Sequence, residues 1–179
     1  MVITLIGYRG SGKSSVAPRL AARFGFRAVD ADDVIEARAK MTIREIFAKQ
    51  GEPEFRRLER ETLVELLAQT DLVLSAGGGA ILNAETRADM RAAGPVVWLQ
   101  APVDVLAARI GGDPSTSARR PNLSTSGGQS EIEQLLTIRE PLYREAATLT
   151  VDTTGLEIDR VVDLIADRLG PQMREGGVA

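Results

Sequence analysis

Apolar residues recur along this chain in two alternating rhythms. Short β-branched or leucine-rich runs fall at residues 2–6, 27–29, 72–74, 96–99 and 149–151, the length and composition of buried strands. Between them apolar residues return every three or four positions, which predicts helices over 13–24, 32–39, 42–49, 54–68, 84–92, 103–109, 131–147 and 157–169. Strands alternating with helices predict an α/β fold: a doubly wound parallel sheet between two helical layers. In such sheets ligands sit beyond the carboxyl ends of the strands. Here those ends carry Gly7 onward, Asp30-Ala31-Asp32, Ser75 to Gly79, and Gln100. A glycine loop, a pair of acids and a second glycine cluster are therefore expected on one rim.

The first strand runs directly into Gly7-Tyr8-Arg9-Gly10-Ser11-Gly12-Lys13-Ser14, and the first helix follows. This is G-x-x-x-x-G-K-[ST] in the strand–loop–helix setting it requires. Its glycines let the backbone curl so that N–H groups point inward at phosphate oxygens, and the helix N-terminus adds partial positive charge. Gly10, Ser11, Gly12, Lys13, Ser14 and Ser15 are expected to hold a nucleoside triphosphate, with Lys13 at the β/γ-phosphates and the Ser14 hydroxyl on Mg²⁺.

Composition narrows the chemistry. With 179 residues, 44% hydrophobic and 26% charged, the chain reads as one soluble globular domain, expected over residues 1–170. A net charge of −3 argues against broad nucleic-acid binding. Lys13, Lys40 and Lys49 are the only lysines; every other basic residue is arginine, whose fork suits carboxylate and phosphate. There is no cysteine and no histidine, so acid–base work falls to Asp, Glu, Lys or Tyr. The N-terminal apolar run lacks a basic leader and ends at the glycine loop, and no stretch is long enough to span a bilayer. These features predict a cytoplasmic protein without membrane or nucleic-acid partners, and the absence of an obvious apolar surface stripe predicts a monomer. Residues 111–130 are almost all Gly, Ser, Thr, Asp, Pro and Asn around Arg119 and Arg120. So long a loop is either a mobile lid closing over a transferred phosphoryl group or a solvated linker. Residues 171–179 read as a flexible tail.

The remaining candidates are ambiguous one at a time. Asp30 and Asp32 sit where a strand becomes a helix, one suited to Mg²⁺ and the other to an acceptor hydroxyl; helix capping is the competing role, and Asp33 suits it well. Of Arg56 and Arg57, about 100° apart on a helix, only one can face a pocket, with Glu59 placed to orient Arg56; alone, this stretch is an ordinary charged surface helix. Gly77-Gly78-Gly79 ends an apolar strand, either because a ligand lies against its main chain or because the turn is tight. Arg139 precedes Pro141 in a helix and can project toward the rim.

In this order the pieces resemble the shikimate kinase family over nearly the whole chain, from Val2 to about Leu169. The resemblance is carried by the phosphate loop, D-x-D at Asp30/Asp32, E-F-R at Glu54 to Arg56, G-G-G at Gly77 to Gly79, R-P at Arg120-Pro121 and R-x-P-L-Y from Arg139 to Tyr143. It implies transfer of the ATP γ-phosphoryl group to the 3-hydroxyl of shikimate, toward chorismate and the aromatic amino acids, on a five-stranded parallel sheet of order 2-3-1-4-5. It implies that Asp32 binds the acceptor hydroxyls and assists proton removal, and that Asp30 with Ser14 holds Mg²⁺. Arg56 and Arg139 would clamp the shikimate carboxylate, and Gly77, Gly78 and Gly79 would support the acceptor. Arg120 would stabilise the transferred phosphoryl group, with the proline register favouring it over Arg119. Arg109 would flank adenine, and residues near Thr153 to Gly155 would complete that pocket. The chain departs from the family in a lid longer and richer in Ser/Thr, in Asn122 after the Arg-Pro pair, and in Arg9, a bulky loop residue with no assigned role. Two other readings stand beside this one: a kinase of the same fold acting on another small metabolite such as gluconate or a nucleotide, and a catalytically silent shikimate-binding module. Retention of Lys13, Asp32 and the lid arginines weighs against the second.

Overall fold

The computed structural model describes residues 1–112 and 128–175. At its centre is β1 (Val2–Ile6), which has no exposed residue. β1 pairs in parallel with β3 (Leu72–Ser75) on one side and β4 (Val96–Gln100) on the other. β2 (Arg27–Asp30) and β5 (Leu149–Asp152) form the edges. The five strands are thus all parallel, in the order 2-3-1-4-5, as expected.

The alternation of strand side chains divides the core in two. Val2, Ile6, Leu72, Leu74, Val96 and Trp98 face one way, onto α3 (Ile43–Leu67), α4 (Ala84–Ala93) and α6 (Gly128–Ala146). Ile3, Leu5, Val73, Val97, Leu99 and Val151 face the other way, onto α1 (Lys13–Phe24) and α7 (Ile158–Glu175). Two satellite clusters matter more for the site. Ile35 of α2 (Ala31–Ala39) packs on Ile43, Ile46 and Phe55 of α3. Tyr8 packs on Leu106 of α5 (Val103–Gly111) and Ile132 of α6. No helix among the described residues is long and apolar enough to cross a membrane.

Boundaries differ from the periodicity in instructive ways. β2, β3, β4 and β5 each continue one residue further, through Asp30, Ser75, Gln100 and Asp152. These polar residues are invisible to a hydrophobic pattern, yet they stay in the ladder as the pairs Asp30↔Ser75 and Gln100↔Asp152. α3 spans both helices predicted at 42–49 and 54–68, with a break at Gly51 (φ 84°, ψ 170°). Its start is fixed by a capping box in which Thr42 and Glu45 bond reciprocally. A short 3₁₀ turn at Ala80–Leu82 follows the glycine triplet. α6 begins at Gly128, ahead of the predicted residue 131, and carries Pro141 in its interior. α7 runs to Glu175, so the helix extends into the segment read as a tail. The core of the expected lid, including Arg119 and Arg120, and the last four residues lie outside the described residues.

Candidate active site

The phosphate loop is built from main chain. Gly7 has φ +144°, and a Cβ there would lie 2.4 Å from the Leu99 carbonyl oxygen, a backbone atom that cannot yield. Gly10 (φ +79°) and Gly12 (φ +97°) adopt left-handed conformations that side chains disfavour. Gly12 caps α1, whose first-turn amides Ser15 N and Val16 N both donate to its carbonyl. Lys13 arches back over the loop and donates to the Gly7 and Tyr8 carbonyls at 2.8 and 3.0 Å. Its ammonium is thereby held across the mouth of the loop, nearly buried. The Ser11 hydroxyl is buried without a hydrogen-bond partner among the described residues.

The Ser14 hydroxyl donates to Asp30 Oδ2 at 2.8 Å. Asp30 Oδ1 accepts from the Asp32 amide at 3.0 Å. Asp30 therefore caps α2 and also presents an oxygen beside Ser14. This donor set suits a hard cation such as Mg²⁺, which takes one or two protein oxygens and keeps its other positions for water and phosphate. Among the described residues there is no group of three or more His, Cys, Asp or Glu able to cage a metal.

A cleft of about 1000 Å³ joins these groups. Gly10 to Ser15, Asp30, Asp32, Gly77, Gly78 and Arg109 all line it. Arg109 donates to Thr153 through both its hydroxyl (2.9 Å) and carbonyl (2.8 Å), and to the Gly10 carbonyl at 3.4 Å. Thr153 in turn donates to the Gln100 carbonyl. The end of β5 is thus fastened to the phosphate loop, and Leu156 and Ile158 close that side of the cleft.

Arg56, Gly79 and Arg139 stand one layer behind the lining. The Arg56 guanidinium is held on α3 between Glu59 (2.7 Å) and Glu52 (3.0 Å). It presses on Gly79, where a Cβ would come within 2.5 Å of Nη1. Burial opposes the Arg56 charge, but the two carboxylates outweigh it and hold the guanidinium above its ordinary pKa. Arg139 is 7% exposed, donates to the Gly78 carbonyl at 3.4 Å and lies over the Tyr8 ring, 5.9 Å from its centroid. Tyr143, one turn further along α6, donates to the same carbonyl at 2.6 Å and stacks on Trp98. Both arginines therefore converge on the glycine triplet, one from α3 and one from α6.

A family model for shikimate kinase matches residues 9–170. The chain belongs to the shikimate kinase family. It is 42% identical over 158 residues to the shikimate kinase of Rhodopirellula baltica, covering 88% of this chain and 84% of that one. Among solved structures it resembles shikimate kinase from Acinetobacter baumannii in complex with shikimate, with a TM-score of 0.89 at 35% identity over 96% of this chain and 93% of that one. A gluconokinase from Sinorhizobium meliloti 1021 shares the fold alone, with a TM-score of 0.59 at 18% identity over 99% of this chain and 97% of that one.

The cleft of this shikimate kinase family member also contains residues that no motif announced. Glu36, Thr42 and Arg44 form its α2–α3 wall. Glu36 accepts the Ile43 amide at 2.9 Å and so ties α2 to the start of α3. The only signal in the sequence was the Thr42–Glu45 capping box, which marks a helix start and carries no chemistry of its own. Arg9 lines the cleft from within the loop and pairs with Glu131 of α6.

Proposed function

We propose that this chain transfers the γ-phosphoryl group of ATP to the 3-hydroxyl of shikimate, giving shikimate 3-phosphate and ADP. The observation that carries the reading is one cleft in which a phosphate loop, a hydroxyl–carboxylate pair and a second carboxylate meet, with two pre-oriented arginines directly behind. Phosphoryl transfer asks for positioning and charge neutralisation more than covalent chemistry, and these groups supply both.

In this scheme the amides of Gly10 to Ser15 and the Lys13 ammonium hold the β- and γ-phosphates. Ser14 and Asp30 would hold Mg²⁺, which would supply charge neutralisation at the phosphates. Asp32 orients the acceptor hydroxyl and takes its proton as the oxygen attacks the γ-phosphorus. The bond from that phosphorus to the β–γ bridging oxygen breaks, and ADP leaves. Arg56 and Arg139 bind the acceptor carboxylate through charge-assisted bonds, with Gly77, Gly78 and Gly79 giving the ring room against main chain. Arg109 and Thr153 border the adenine. Arg120 remains assigned to the transferred phosphoryl group through the family resemblance. The working unit is proposed to be a monomer.

Coupled ADP release with Mg·ATP tests this reading, comparing shikimate with gluconate, nucleoside monophosphates and no acceptor. Shikimate-dependent turnover far above the blank is expected. Turnover with gluconate alone would keep the kinase and discard the acceptor. Asp32→Asn is expected to lower kcat about a hundredfold with ATP binding nearly intact; a near wild-type kcat would remove Asp32 from the proton transfer.

A further inference from the structure

Holding phosphate requires amides and a lysine, and nothing in that task asks for a guanidinium at position 9. The Arg9 side chain lines the cleft and reaches α6. Its Nη2 lies 3.6 Å from Glu131 Oε1, and the two side chains are only 17% and 2% exposed. The Arg9 guanidinium carbon also lies 5.9 Å from the centroid of the Tyr8 ring, and that of Arg139 lies 5.9 Å from the same centroid. Tyr8 is buried against Ile132, the neighbour of Glu131, with Leu135 and Leu136 packed alongside. Glu131 and Arg139 are separated by about 12 Å of helix. α6 is therefore attached to the phosphate loop at two points: by an ion pair near its start, and by an arginine–ring contact two turns later.

We propose that Arg9 is a positioning residue for the acceptor, and that its ion pair with Glu131 seats α6 on the phosphate loop so that Arg139 is presented to the acceptor carboxylate. The proposal rests on the reading of Arg139 as a carboxylate clamp. The physical basis is burial: a largely buried guanidinium that loses a facing carboxylate is disfavoured in its original geometry, and here the element that carries that carboxylate also carries Arg139. Arg9 thereby ties the placement of the acceptor arginine to the loop that holds the phosphates.

The test is a double-mutant cycle of Arg9→Met and Glu131→Gln, with Arg9→Lys as the conservative variant, read as separate KM values for shikimate and ATP. Each single variant is expected to raise the shikimate KM about tenfold, and the double variant no further than either alone. The ATP KM should stay within about twofold, and Arg9→Lys should recover most of the loss, because a charge of the same sign again faces Glu131. Equal rises in both KM values would overturn the proposal in favour of a general structural role. An effect of Arg9→Met without one of Glu131→Gln would also overturn it, since Arg9 would then act on the ligand directly. Unchanged shikimate KM in all variants, with the wild type active on shikimate, would defeat this inference alone. A wild type inactive on shikimate would defeat the proposed function and this inference with it.

Discussion

The nucleotide side and the acceptor side of this cleft are built by opposite means. The nucleotide side is backbone: three left-handed or sterically confined glycines and the first turn of α1, with Lys13 held by carbonyls of its own loop. The part that holds the phosphates comes from one contiguous segment beside the central strand. The proposed acceptor side is side chain: Asp32 from the start of α2 on the cleft wall, and Arg56 from α3 and Arg139 from α6, which meet the glycine triplet at Gly79 and Gly78. Each of its arginines is held by neighbours, Glu52 and Glu59 for Arg56 and the Gly78 carbonyl and Tyr8 ring for Arg139. Triphosphate geometry is common to many enzymes and is met by a local loop. Acceptor geometry is particular, and it is met by tertiary contacts that single substitutions can remove.

That contrast can be broken or sharpened by substitution. The largest effect is expected from Lys13→Met, which removes the ammonium above the loop. Turnover should fall about a hundredfold to a thousandfold while shikimate binding, measured by quenching of the single tryptophan Trp98, stays near wild type. Loss of both would show that the two sides are not separable. Arg139→Ala should raise the shikimate KM about thirtyfold, the range for a lost charge-assisted bond, with the ATP KM changed less than about threefold. A similar rise in both constants would mean that Arg139 supports the fold rather than the acceptor. Gly79→Ala is a gentler probe of the same side. The new Cβ would collide with the Arg56 guanidinium, the far end of a flexible side chain, so the fold should survive and the shikimate KM should rise several-fold. Wild-type constants in that variant would uncouple Arg56 from the acceptor.

The smallest effect is on stability against pH, and it separates the scaffold from the site. Glu45 is held below its ordinary value first by the Thr42 amide, then by the Thr42 hydroxyl and Lys49. Asp152 is lowered first by the Thr154 hydroxyl and then by its amide. For groups depressed in the folded state, the stabilisation is complete above the unfolded pKa and is lost as pH falls through the folded one. With no histidine in the chain, the melting temperature should be nearly flat from about pH 6 to 8 and fall below about pH 4. A step near pH 6.5 would contradict this assignment.

The two sides also differed in how far they could be read from sequence. The phosphate loop was legible because its requirements are local: a strand, positive-φ positions and a helix start lie within fifteen consecutive residues. The sheet was legible because residues 2–6 and their counterparts are apolar, while its polar last rungs, such as Asp30 and Gln100, were missed. Arg56 alone was indistinguishable from a surface-helix ion pair, and locally it is one, with Glu52 and Glu59 in place. Only family resemblance singled it out. Gly77 to Gly79 left open whether a ligand or a tight turn required them. At Gly79 a third cause operates, since the close approach comes from an arginine on α3. Arg9 was left without a role because its partner Glu131 lies beyond the loop expected as a lid, and no local spacing connects the two.

The separability of the two sides is tested most directly by calorimetric titration of shikimate and of ATP, each alone, into wild type and Arg139→Ala. The division described above predicts that the variant loses most of its shikimate affinity and keeps ATP affinity within about threefold. Parallel loss of both affinities, or shikimate affinity unchanged, would contradict it.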